Sequence, residues 1–529
     1  MTANKLPAWK YFCAASICSI CLSGFTKDLD ESSVIDNSSL IPAVRSDRRV
    51  KMEGFSPEWV KSLIMAEFRI ETATPGGTFS SAVKVLDHYA ETGVNGLWVG
   101  PIFERPAGNN GYGNFGPDTI ETALTGETSL EKSYREIKRF VEAAHDRNIR
   151  VIFDIVAWGV TESAPLFEER RDFFIRQSNE EFRKAWGGYL FDWKKPEFRE
   201  WFNAAAVRFI EETGADGFRV DLAPDTAGYH FKEIRDELYR RGHKIMIMSE
   251  MPSEPKGTFD FAQLGVNGWT EPQAYGDSER FDAQKKKFGS MHDSSFIFRT
   301  NVVDAIKSGV GIGRPQLQQK GEGGLFRFYA ASPLYHDGHT PFVKGNRVRF
   351  GYLALLPFIP VWWIGEEWNN PRDLIEQRGA MYYNRVNWDV KKEPGNAAFF
   401  EDVKRILRVR RSYPDIFEEF SKQLRASNIR KAVSFRDGQL NPLQAYMRYC
   451  DDKAIVVVPN YESQTPQSEF AIEADLNSIG FNSKQIYCVK DLMSDRQLAQ
   501  GLLSEIFPLH TVIPAEHLGL YLIESGDKK

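Results

Sequence analysis

Cysteine is scarce in this chain of 529 residues, and its placement is uneven. There are five, and Cys13, Cys18 and Cys21 fall in the first two dozen residues, leaving only Cys450 and Cys488 for the rest. That excludes a small disulfide-stapled scaffold. The remaining two fit either one disulfide in an oxidising compartment or two free thiols. No apolar run reaches the length of a membrane span. Nor is there a basic block: the net charge is −5 and the pI about 6.1, which argues against nucleic acid or anionic lipid as partner. Glycine-rich phosphate loops, dinucleotide fingerprints and Ser-His-Asp signatures are missing from any usable context. Internal repeats, low-complexity tracts and long interdomain linkers are absent too.

What is present is length, ordinary hydrophobicity and many aromatic rings. The chain is 42% hydrophobic and 26% charged, with 12 Trp, 19 Tyr and 38 Phe. Such a chain builds a large core and two or three domains. Flat aromatic faces also suit sugar rings, although most fill cores. Lys5 and Lys10 precede the apolar run YFCAASICSICLSGF, the pattern of an export signal over residues 1–24. Export to the periplasm or the medium is therefore expected, with a lipid-anchored form as an alternative. Residues 25–56 are polar and mixed, as in a linker or arm.

From residue 57 to about 415, short apolar runs alternate with helical patterns. SLIMAEFRIE, GLWVGPIF, RVIFDIVAWG, GFRVDLA and KIMIMSEMP read as strands. FSSAVKVLDHYAETG, SLEKSYREIKRFVEAAHDRN, PEFREWFNAAAVRFIEETG and YHFKEIRDELYRRG read as helices. The strands are apolar almost throughout, as strands covered on both faces should be. The pattern and its length predict an α/β fold, a (β/α)8 TIM barrel with a short third-strand insertion. Strand-like pieces such as LQAYMRYC, AIVVVPNY, QIYCVKDL and LGLYLIES then predict a C-terminal antiparallel β-sandwich over 425–529.

Charges interrupt these strands near their ends. Arg219 and Asp221 are two residues apart, so they share one face. They read either as a structural ion pair or as a catalytic carboxylate beside a guanidinium that favours its ionised form. Asp154, Glu250, His336 and Asp337 follow comparable apolar runs. Groups at several strand exits of one barrel would meet at one mouth. HDGH hints weakly at a metal, but no fourth ligand has fitting spacing. Glu366 and Glu367 read as loop anchors or mouth residues, Glu254 as a rim charge, and Trp362 and Trp363 as packing.

GVNGLWVGPIFE, GFRVD, IMSE, YHD and LPFIPVWWIGEE appear in the order found in the α-amylase superfamily, glycoside hydrolase family 13, which the chain resembles from about Trp59 onward. The resemblance implies a retaining α-glycosidase acting on α-glucans or maltooligosaccharides. It casts Asp221 as nucleophile, Glu250 as general acid and base, and Asp337 as stabiliser of the transition state. Arg219, His336, Tyr112, Trp158 and Asp154 would bind substrate, with Arg219 keeping Asp221 ionised and partial burial raising Glu250. Retaining enzymes of this kind hold their two carboxyl groups about 5 to 5.5 Å apart. The third strand departs from the family pattern: Trp158 and Gly159 stand where Asn and His are usual. That Asn is a calcium ligand in many members, so no cofactor is expected and calcium is unsupported. Trp158 would either stack on sugar or pack under a loop. Tyr335 replaces the Asn before His336, and the loop around Tyr112 is reshaped. Transglycosylation, and a carbohydrate-binding barrel with little turnover, are the alternatives.

Overall fold

The computed structural model describes residues 56–109, 111–221, 227–250, 259–263, 328–331, 346–357, 359–370, 386–417, 428–441, 444–461 and 465–526. The leader expected over residues 1–24 and the arm expected over 25–56, save Ser56, lie outside these, as do Glu254, Tyr335, His336, Asp337 and His339.

Eight parallel strands close into a barrel: β1 (Met65–Phe68), β2 (Gly96–Val99), β3 (Arg150–Val156), β4 (Gly217–Asp221), β5 (Met246–Ser249), β6 (Phe261–Gln263), β7 (Phe328–Ala331) and β8 (Ile359–Trp363). Each pairs with its sequence neighbours, and β8 pairs back on β1. The strand-like runs in the sequence divide by parity. Ala66, Phe68, Leu97, Val99, Phe153, Ile155, Phe218, Val220 and Ile247 face the surrounding helices in one large apolar cluster. Met65, Trp98, Ile152, Met246, Met248, Ile359 and Val361 form a second cluster, the barrel's own filling. This is why the runs look apolar throughout: each face meets a different core.

The helices follow from equally local rules. In α2 (Leu130–His145), Ser133, Tyr134, Ile137, Phe140, Val141 and Ala144 recur at three- and four-residue spacing and are the buried positions. In α3 (Pro196–Thr213), proline opens the first turn and Gly214, at φ +73°, closes the last in the left-handed conformation. The helix expected from FSSAVKVLDHYAETG is broken into Phe79–Ala82, a 3-10 turn at Val83–Val85, and Leu86–Thr92 (α1 is the last of these). At the strands' N-terminal ends, Asp216 accepts from Val151 N, Arg150 and His145, and Asp260 from Ile247 N and Arg235. These buried carboxylates fasten the barrel floor.

The insertion after β3 is a three-stranded antiparallel ribbon, Gly159–Thr161 against Gly188–Leu190 against Lys184–Ala185. It is packed with rings: Phe167 stacks on Tyr189 with centroids 3.5 Å apart, and Phe191 stacks on Phe198 at 4.6 Å.

The C-terminal unit is an antiparallel sheet of nine strands that encloses its own apolar cluster, with Phe470 and Ile472 meeting Met447, Val456 and Ile523. Strand Lys453–Asn460 shows how it attaches. Ala454, Val456 and Val458 point into the sandwich core, whereas Ile455 and Val457 join the barrel's apolar cluster. The two layers are thus fused by burial. Cys450 and Cys488 are not joined to each other. Strands Lys453–Asn460 and His517–Ser525 lie between the strands that carry them. Three strand spacings amount to roughly 14 Å, twice the span a disulfide tolerates, so the pairing left open by sequence is excluded by topology.

Candidate active site

The inward face that is apolar low in the barrel turns polar near its C-terminal end. Register sets the levels. Asp154 on β3 lies opposite Arg219 on β4, and Val156 opposite Asp221. Val220 lies opposite Ser249 on β5, so Glu250, the next residue, arrives beside Asp221, with its amide donating to Val220 O at 3.2 Å.

Arg219 is the hub. Its Nη1 donates to Asp154 Oδ1 at 2.9 Å and to Asp221 Oδ1 at 2.6 Å, and Nη2 stands 3.4 Å from Glu250 Oε1. The two proposed catalytic carboxylates therefore meet at two ends of one guanidinium. The shared face expected for Arg219 and Asp221 is what the strand provides.

Asp154 is fully buried. Its other oxygen accepts from Trp98 Nε1 at 2.8 Å and from the Tyr112 hydroxyl at 3.4 Å. The expectation that Asp154 binds substrate is corrected by this burial: its partners are protein groups, and it acts through Arg219. Tyr112 is partly exposed, its ring flanked by the Arg69 guanidinium at 4.9 Å and that of Arg219 at 5.7 Å. Trp158 is buried, with its ring edge-to-face on Trp186 and its carbonyl accepting from Phe191 N. Of the two roles left open for it, the geometry is that of packing beneath the ribbon. Glu367 is an anchor, accepting from His88 Nε2 at 2.9 Å and from Gly365 N at 2.8 Å. Trp362 and Trp363 are core.

Electrostatics refine one expectation. Burial and the adjacent Glu250 carboxylate push the Asp221 carboxyl well above its ordinary range, while Arg219 pulls it down and Asp154 pushes it further up. The pull of Arg219, which is shared among three carboxylates, does not offset burial and Glu250. Burial also raises Asp154, opposed by Arg219 and Arg69 and by the hydrogen bond from Trp98.

Sequence reading missed Arg69 and Trp98. Their signal was present. In EFRIE, Glu67, Arg69 and Glu71 alternate at two-residue spacing, the same pattern that singled out Arg219 and Asp221. Trp98 has the inward parity of β2. A calcium ligand is not offered at position 158, where an indole is packed on Trp186. Among the described residues, no group of three or more His, Cys, Asp or Glu side chains is placed to hold a metal ion. Nor is any helix among them long and apolar enough to cross a membrane.

A family model for the glycosyl hydrolase family 31 TIM-barrel domain matches residues 119–262, about a quarter of the chain. Those residues carry Asp154, Arg219, Asp221 and Glu250. A curated relative, alpha-amylase MalA of Haloarcula japonica, is 24% identical over 434 residues, covering 77% of this chain and 57% of that protein. The chain is thus similar in sequence to an α-amylase over most of its length. Oligo-1,6-glucosidase of Bacillus cereus is 23% identical over 258 residues, 39% of this chain and 45% of that protein. The chain thus spans about half the length of these curated relatives. The solved structure of a maltogenic alpha-amylase from Thermotoga neapolitana superposes with a TM-score of 0.62 at 16% identity, covering 88% of this chain and 99% of that one. That likeness is one of fold. The similarity to α-amylase MalA runs through most of the chain, whereas the family 31 match lies in the middle of the barrel alone.

Proposed function

We propose that this chain is a retaining α-glycoside hydrolase of the α-amylase superfamily, acting on α-glucans or maltooligosaccharides. The observation that carries it is the meeting of Asp221 and Glu250 on the two ends of Arg219 at the barrel mouth. An Asp221 oxygen attacks the anomeric carbon. The bond to the leaving sugar breaks, its electron pair goes to the glycosidic oxygen, and that oxygen takes the Glu250 proton. Water then gives a proton to Glu250 as its oxygen attacks the same carbon, and the ester to Asp221 is released as carboxylate. Two inversions return the starting configuration. The productive form holds one proton, on Glu250, and the shared cation suits a pair that must never be doubly protonated. Asp337 is assigned to the oxocarbenium-like transition state, and His336 and Tyr112 to the ring bound there. These roles and the absence of a required calcium rest on motif resemblance, and an extracytoplasmic location rests on the basic and apolar pattern of residues 1–24.

The test is hydrolysis of a panel of α-linked glucans by the protein and by Asp221→Asn, with products followed by mass spectrometry and anomers by NMR. The expected result is an α-anomer product, with kcat reduced roughly 10⁴-fold in the variant. Equal release by both proteins, or a β-anomer, would overturn the nucleophile assignment. A second reading, transglycosylation, is favoured by a relative named trehalose synthase from Pimelobacter, 29% identical over 234 residues. It differs only in a sugar hydroxyl replacing water, and transfer products would reveal it.

A further inference from the structure

The turn at the tip of the ribbon holds a residue that its stereochemistry disfavours. Ala185 lies opposite Gly188, leaving Trp186 and Gly187 as a two-residue hairpin loop. Both have positive φ, +50° and +78°. That is the type I′ arrangement, in which asparagine followed by glycine is preferred. Tryptophan there is strained, because its Cβ crowds the backbone in the left-handed region. Yet Trp186 is also 39% exposed, one of five large hydrophobic residues exposed to this degree among those described. A residue that is both strained and wet gains little from the fold, which points to function.

Its position suggests which one. The ring stands edge-to-face to Trp158, with centroids 5.6 Å apart. Trp158 follows β3 directly, and its neighbour Ala157 donates its amide to Asp221 O at 3.2 Å. The ribbon also lies against the Tyr112 loop: Thr161 N donates to Asn114 O at 3.1 Å, and the Asn114 side chain to Gly159 O at 3.4 Å. The Tyr112 loop, the ribbon base and Trp186 are thus joined by contacts to the strand end that carries Asp221. The ribbon is held there by close backbone contact, since a Cβ on Gly188 would lie 2.0 Å from Val160 O and 2.9 Å from the Trp158 ring.

We propose that Trp186 is a platform for a pyranose ring of an α-glucan chain beyond the bond that is cleaved, so that it sets a preference for longer chains. The proposal rests on the hydrolase reading for its substrate class, but not for its test. An indole face offers a large, rigid apolar surface to the C–H side of a sugar, and the edge-to-face contact with Trp158 restrains the ring.

Binding of maltose and maltoheptaose is measured by calorimetry in Asp221→Asn, with and without Trp186→Asn. Asparagine is the residue the turn prefers, so a thermal melt at or above the parent's separates loss of the ring from loss of the ribbon. Trp186→Tyr serves as the conservative variant. The expected outcome is an affinity for maltoheptaose about tenfold lower in Trp186→Asn, a smaller change for maltose, and recovery in Trp186→Tyr. Equal loss for both sugars, no loss, or no binding by the parent overturns the platform. If binding depends on Trp186 while the wild-type protein cleaves nothing, the platform stands and the hydrolase reading falls. If cleavage depends on Asp221 but chain-length preference ignores Trp186, the reverse holds.

Discussion

Arg219 donates to Asp154 and Asp221 through one nitrogen and faces Glu250 with the other, so replacing any of the three acids redistributes the guanidinium among the rest. Asp154→Asn removes a negative neighbour that pushes the Asp221 carboxyl up. The acidic limb of kcat/KM should therefore move to lower pH, with kcat falling about 10- to 100-fold from a less firmly held Arg219. A pH-rate profile with an unmoved acidic limb would remove Asp154 from the electrostatic circuit. Asp221 has a stability consequence of its own. Its folded-state carboxyl titrates above the ordinary unfolded one near 3.9. Between those values the folded protein holds a proton that the unfolded chain has released, so stability falls as pH rises through that window. Asp221→Asn escapes this loss. Denaturant midpoints at pH 4 and pH 8 should show the variant gaining on the wild type as pH increases.

His88 works in the opposite sense. Its Nε2 contacts Glu367, its Nδ1 lies 2.8 Å from the Lys391 ammonium, and burial is the main cause that holds its titration below the usual histidine range. A neutral ring accepts from Lys391 and donates to Glu367. Below about pH 6.5, the unfolded chain takes up a proton that the folded ring resists, and stability drops as pH falls toward the depressed value. His88→Gln should flatten this acid dependence, measured by thermal melts from pH 7 to pH 4.

Among the elements, the ribbon and the strands differ in how openly they stood in the sequence. Barrel strands were legible because apolar runs between amphipathic helices admit few arrangements, and because charges two residues apart on a strand must share a face. The site was legible where that spacing coincided with motif order, at Arg219, Asp221 and Glu250. Arg69 and Trp98 were missed because each lay within a run otherwise explained as core. Asp154 was placed but misjudged, since sequence spacing gives a side chain's face and not its depth. The ribbon's hairpin is short, and its tip carries tryptophan where turn chemistry expects asparagine, so Gly187 and Gly188 were its only turn signal. Close strand contact supplies a test at this scale. A Cβ on Gly217 would lie 1.9 Å from Met246 O, backbone that cannot step aside. Gly217→Ala should cost about 1–3 kcal/mol, read from chemical denaturation.

At the scale of the whole molecule, the sandwich is part of the barrel's wall. Tyr446 OH donates to Tyr352 O at 2.6 Å, Tyr352 OH to Gln444 O at 2.8 Å, and the buried Arg448 to Leu355 O at 2.9 Å and Ile416 O at 3.0 Å. Ile455, Val457, Leu520 and Leu522 fill the same apolar cluster as α5 (Asn346–Ala354) and α6 (Pro394–Ser412), through residues such as Leu353 and Leu407. Cutting the chain after residue 424 would bare that surface to water. Such a truncation should aggregate or lose its cooperative transition, and the intact protein should melt in a single step by calorimetry. Two well-separated transitions would show the units to be independent.

The crowding of acids around a single guanidinium reaches beyond the bond-breaking step. A sugar bearing phosphate or a uronic acid carboxylate would bring further anionic character to a pocket where Asp154, Asp221 and Glu250 already compete for Arg219. Uncharged glucose units meet no such repulsion. On the proposed reading, the arrangement that would ready one carboxyl to attack and another to donate would also disfavour an anionic group at the scissile position, so that neutral chains are expected to be preferred there.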